Sequence, residues 1–99
     1  MKLISNKSLR EFAGIHPESD EPLRAFRQKV EKGSFGNFAA LRSAFAGVDR
    51  VGERYVFNIG GNKYRMVVEM QYRAGIVWIK FIGTHAQYDK IDVENVNEY

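Results

Sequence analysis

Cysteine is absent from the chain, and histidine occurs only at His16 and His85. Without thiols there is no disulfide framework, no thiolate zinc site and no cysteine nucleophile, a pattern that fits a reducing compartment. The two histidines are far apart and no acidic cluster flanks either, so neither a metal site nor another cofactor is expected. Long apolar runs are missing as well. No stretch of about 18 uninterrupted apolar residues occurs, and "MKLISNKSLREF" lacks the apolar core of a signal peptide, which predicts a soluble, cytoplasmic protein with no membrane partner. No G-x-S-x-G segment supports a hydrolase triad. Gly60 and Gly61 join two strand patterns instead of opening a helix, so they form a turn and not a phosphate-binding loop.

What the chain has is apolar and aromatic content: 44% and 13% of 99 residues. That is enough for one two-layer core, and residues 1–99 read as a single domain. The net charge of +3 is mild but uneven. Between Arg50 and Lys90, seven basic residues (Arg50, Arg54, Lys63, Arg65, Arg73, Lys80, Lys90) face three acidic ones (Glu53, Glu69, Asp89), while Asp92, Glu94 and Glu98 follow. A polyanion suits such a surface, although a solvated charged face has the same composition.

"KLIS" predicts a short first strand. Ser8 and Glu11 have capping-box spacing, with Leu9, Phe12 and Ala13 on one helical face and Gly14 and Pro17 ending the turn. "ESDEPLRAFRQKVEKG" predicts a longer helix, capped by Ser19 or Asp20 and carrying the stripe Leu23, Phe26, Val30. Asn37 caps a third helix, in which Phe38, Leu41 and Phe45 share a face and Gly47 is the stop. His16, before Pro17, reads as a loop residue.

From Val48 the period changes to two. "RYVFNI" puts Tyr55, Phe57 and Ile59 on one face, the double glycine makes a hairpin, and Tyr64, Met66, Val68, Met70 and Tyr72 alternate with polar residues. After a turn at "YRAG", Val77, Ile79 and Phe81 alternate with Trp78 and Lys80. Helices followed by a meander predict an α+β fold, with the N-terminal helices packed on one face of a small antiparallel sheet. The other face is expected to be open and to present Lys63 and Arg65. Trp78, on that face, would stack on a base or be covered by a partner chain.

"FIGTHAQYDKID" places His85, Tyr88 and Lys90 just beyond the last strand. Histidine exchanges protons near neutral pH, and arginine holds two phosphate oxygens in a fixed fork, so His85 and Arg65 have the residue types for RNA cleavage without metal. A surface histidine beside a charged strand accounts for the same residues.

"VFNIGGNKYRMVVEMQY" and "IVWIKFIGTHAQYDKIDV" together resemble the HigB-type toxins of bacterial type II toxin–antitoxin systems, a branch of the RelE group. The likeness extends to "LREFAGIHPESDEPLRAF" and "FGNFAALRSAF". It implies a microbial-RNase-like domain and an mRNA endonuclease (mRNA interferase) that acts on the ribosome without metal and arrests translation. Its implied partner is a HigA-type helix-turn-helix antitoxin, through which alone operator DNA would be reached. By the same resemblance Arg65 holds the scissile phosphate, His85 transfers protons, Tyr88 supplies an aromatic hydroxyl, and Lys63 and Lys90 add positive charge. RelE-type toxins often bear basic residues on the preceding strand, where this chain has Asn58 between apolar neighbours. Two other functions use the same surface: a non-catalytic RNA- or ribosome-binding module, and a co-repressor that binds a partner.

Overall fold

The computed structural model describes residues 1–97. Within them the elements run β1 (Lys2–Ile4), α1 (Asn6–Ile15), a 3-10 turn (Pro17–Ser19), α2 (Asp20–Lys32), α3 (Phe38–Ala44), β2 (Asp49–Val51), β3 (Arg54–Ile59), β4 (Tyr64–Gln71), β5 (Ile76–Thr84) and α4 (His85–Tyr88). The strands form one sheet in the order β1-β5-β4-β3-β2. The β2–β5 meander is antiparallel, and β1 lies parallel to β5 at one edge. No described helix is long and apolar enough to cross a membrane.

The elements follow from local chemistry. α2 begins with Asp20 and Glu21 and ends with Lys29 and Lys32, charges that complement the helix dipole at both ends. Its stripe Leu23, Phe26, Val30 is buried as the spacing predicts. Asn37 caps α3, its side-chain oxygen accepting from the Ala40 N–H at 2.9 Å. Gly60 and Gly61 take φ of 63° and 69°, the left-handed region that lets two strands reverse in a tight turn. α1 departs from the expected capping box: it starts at Asn6, and Ser8 is already inside its first turn, donating to the Ser5 carbonyl at 2.5 Å.

One face of the sheet carries the main core. Leu9, Phe12, Leu23, Phe26, Val30 and Leu41 meet Tyr55, Phe57, Ile59, Tyr64, Met66, Val68, Val77 and Ile79. Aromatic edges lock this layer, with Phe26 and Phe45 both in edge or tilted contact with Phe57 at 5.0 and 5.1 Å. The 3-10 turn is pinned to it through Tyr64, whose hydroxyl donates to the Glu18 carboxylate. His16 is more than a loop residue. Its ring stacks on Phe12 at 4.5 Å, and its Nδ1 lies 3.9 Å from Glu18.

The second face is not open, contrary to the expectation from alternation. Val67 pairs with Phe81 but Val68 pairs with Ile79, so Lys80 is an extra residue and β5 bulges there. The bulge moves Phe81 off the helical face, where strict alternation with Val77 and Ile79 would put it, and onto the second face. There it joins Val56 and Val67 in a small buried cluster. The segment after α4 covers that cluster with Ile91, Val93 and Val96, alongside Tyr88 and Val51. The stretch "ENVNEY" therefore lies over the sheet as far as Asn97, and its last two residues fall outside the described residues.

Met66 is fully buried in the main core, so Met66→Ala should lower unfolding free energy by about 2–5 kcal/mol in urea denaturation. The Tyr64 hydroxyl, with Glu18's own backbone hydrogen bond, holds the Glu18 carboxyl below its ordinary range. The Glu18 carboxylate in turn pushes Tyr64 up to about 12. Glu18 stabilisation is complete above the unfolded carboxyl's pKa and is lost as pH falls through the lowered folded value. That of Tyr64 is complete below about pH 10 and is lost towards about pH 12. Glu18→Gln should flatten both the acid and the alkaline fall in melting temperature relative to wild type.

Candidate active site

Arg65 sits on the second face of β4 with different neighbours on its two sides. Across β3 it pairs with Asn58, and across β5 it pairs with Gly83, which has no side chain. A Cβ at Gly83 would lie 2.5 Å from the Phe81 ring and 2.7 Å from the Gln87 amide oxygen. The glycine therefore allows Phe81 and α4 to approach β5 closely, which brings α4 alongside Arg65.

α4 is one turn long, too short to stand alone, and its start is defined by a complete capping box. The Thr84 hydroxyl accepts from the Gln87 N–H at 3.3 Å, and the Gln87 side chain accepts from the Thr84 N–H at 2.9 Å. His85 and Tyr88, three residues apart, then share one face of the turn. Arg65 Nε donates to His85 Nε2 at 3.5 Å, and the guanidinium carbon lies 5.3 Å from the Tyr88 ring centroid. Three residues from two separate segments converge at one end of the sheet. Their chemistry is complementary: a planar cation stacked on an aromatic ring, beside an imidazole that presents a nitrogen lone pair.

The remaining predicted residues are distributed around this centre. Asn58 lies beside Arg65 in register, its Nδ2 against Gly47 and its buried side-chain oxygen without a hydrogen-bond partner. Lys63 is exposed in the turn just before β4, near enough to Glu18 to favour that carboxylate. Trp78 is on the second face as alternation predicts, but it pairs with Glu69, four residues along β4 from Arg65. Lys90 is turned to another side of α4, where it lines a cleft with Phe12, Ile15, His16 and Gln87. Among the described residues no group of three histidine, cysteine, aspartate or glutamate side chains is placed to hold a metal ion.

The positive stretch from Arg50 to Lys90 is less free than its composition implies. Arg54 and Lys80 both lie by Glu69, at 3.1 and 4.0 Å, and Arg50 donates to the Gly52 carbonyl. Arg65 is the half-buried cation facing His85 and Tyr88.

Residues 19–91 match the family model described as HigB_toxin, RelE-like toxic component of a toxin-antitoxin system. The chain belongs to this family. It is 32% identical over 92 residues to the mRNA interferase toxin HigB of Escherichia coli K12, covering 90% of this chain and 88% of that protein. The mRNA interferase HigB of Shigella flexneri shows the same identity and coverage. That of Escherichia coli O6:H1 is 28% identical over 94 residues, 92% of this chain and 91% of its own. The matched span contains all the residues above, from Asn58 to Lys90.

The close packing at Gly83 and the Thr84/Gln87 box have no counterpart in the sequence reading, although T-x-x-Q immediately after an apolar run is a legible helix start. Arg54 had no sequence signal beyond its charge. Gly83→Ala should cost roughly 1–3 kcal/mol through overpacking against Phe81 and Gln87, measurable by chemical denaturation.

Proposed function

We propose that this chain is the toxin of a type II toxin–antitoxin pair and an endoribonuclease that cleaves translated mRNA on the ribosome, without metal. The observation that carries this reading is the convergence of Arg65, His85 and Tyr88, in a chain whose relatives are named mRNA interferases. Arg65 holds the non-bridging oxygens of the scissile phosphate. His85 takes the ribose 2′-hydroxyl proton as the 2′-oxygen bonds to phosphorus. The bond from phosphorus to the 5′-oxygen then breaks, and that oxygen takes a proton from the Tyr88 hydroxyl, which His85 resets through solvent. The products are a 2′,3′-cyclic phosphate and a 5′-hydroxyl end. Asn58 and Lys63 flank the site and suit contacts to the adjoining backbone, while Trp78 and Lys90 suit more distant contacts with RNA or ribosome. A HigA-type helix-turn-helix antitoxin is the partner chain, operator DNA is reached through it, and the cytoplasm, where messages are translated, is the site of action.

The test is induction in growing bacteria with primer extension on translated and untranslated messages. Wild type should arrest growth and cut only translated messages. His85→Gln and Arg65→Ala should each lower cleavage by about 10²–10⁴-fold with melting temperatures close to wild type. Arrest without cuts would instead establish a non-catalytic ribosome-binding protein.

A further inference from the structure

Arg54 is a nearly fully buried cation far from the phosphate-binding end of the sheet, 9% exposed, and it takes no part in the chemistry above. Its guanidinium is nonetheless well satisfied. Nε and Nη2 donate to one Glu69 oxygen at 3.2 and 3.1 Å, and Nη1 donates to the carbonyls of Val93, at 2.9 Å, and Val96. Four of the five guanidinium donors are thus used, two of them on the backbone of the C-terminal segment. That segment forms a compact turn in which the Val96 N–H donates to the Asp92 carbonyl at 2.8 Å and Asn95 donates to the Asp92 carboxylate at 2.6 Å. Lys80 donates to Asn97 at 3.3 Å, and Glu94 lies against Gly52. Residues 91–97 are a strap across the second face, and Arg54 is its main polar anchor.

The strap and the site share one packing unit. Tyr88 belongs to the same apolar cluster as Ile91, Val93 and Val96, over Val56, Val67 and Phe81. α4 has four residues, and besides its capping box and the contacts of His85 and Tyr88 with Arg65 it is held by this cluster. We infer that Arg54 is a positioning residue: by tying down the strap through Val93 and Val96 it fixes the seat of Tyr88, and with it the α4 turn that presents His85 to Arg65. This rests on the reading of Arg65, His85 and Tyr88 as a nuclease site. A lysine cannot replace Arg54, because a single ammonium cannot reach a carboxylate and two carbonyls in one plane.

The experiment uses the full-length chain with Arg54→Met, which keeps bulk and removes all four hydrogen bonds. Amide hydrogen exchange reads the strap, nuclear magnetic resonance signals of His85 and Tyr88 read α4, and cleavage of a translated message gives kcat and KM separately. The expected result is a folded protein with faster exchange at Val96 and shifted or broadened His85 and Tyr88 signals. Its kcat should fall about ten- to a hundredfold at unchanged KM, since Arg65 stays on β4. A loosened strap with unmoved His85 and Tyr88 signals, or with unchanged kcat, would overturn the proposal. So would a rise in KM alone. If Arg54→Met does not fold, Arg54→Lys keeps a cation beside Glu69 but cannot also span the two carbonyls, and the same readouts decide. Should His85→Gln and Arg65→Ala cut as fast as wild type, the nuclease reading fails, and the His85 and Tyr88 signals still test the positioning.

Discussion

The bulge at Lys80 is the feature on which the rest of the arrangement depends. With β5 in strict alternation, Phe81 would join Val77 and Ile79 under the helices, and the smaller Ile82 would take its place beside Val56 and Val67 on the second face. The extra residue transfers the largest apolar side chain in that part of β5 to the second face. A three-residue apolar cluster in the middle of a sheet has to be covered. The chain covers it with the segment that follows β5, and the turn required to bring that segment back is α4. The site therefore lies where it does because the same backbone that returns to cover Phe81 first passes beside Arg65.

Charge is organised by the same requirement. A strap of seven residues carries polar backbone groups onto a sheet face, and those carbonyls need donors. Arg54 meets the need with a rigid fork directly opposite Glu69 in the β3–β4 register, so the buried cation is paired on one side and bonded to carbonyls on the other. Lys80 performs a lesser version of the same task from the bulge. Two of the seven cations that make the strand-rich part of the chain positive are thus internal ties. The exposed positive surface is consequently smaller than the composition implies.

Periodicity made the helical layer legible because it reports burial on a single face: Leu23, Phe26 and Val30, or Tyr64, Met66 and Val68, each read directly as one stripe. It could not report the second face, since one inserted residue reverses every inside-outside assignment beyond it, and nothing in "WIKFIG" marks where that happens. The central site residues were legible by chemical type and by family resemblance, and their meeting is a matter of tertiary geometry. Trp78 shows the limit. Its face was read correctly, but its position along the strand puts it beside Glu69 and not beside Arg65. Gly83 follows an apolar run and shows the same limit. Its packing role is set by Phe81 and Gln87, whose approach no local pattern announces.

The site is divided between parts of unequal rigidity. Arg65 stands on β4, which is hydrogen-bonded on both sides within a five-stranded sheet. His85 and Tyr88 stand on a single helical turn whose intrinsic stability is negligible. Local opening free energies differ accordingly between a central strand and a peripheral turn. On the proposed reading, a cation on the rigid part would hold a backbone phosphate whether or not α4 is seated, whereas proton transfer would demand that His85 be placed to within a fraction of an ångström. On that reading anion binding and chemistry are separable properties of one small surface, and what joins them is the packing of Tyr88 into the cluster that the strap encloses.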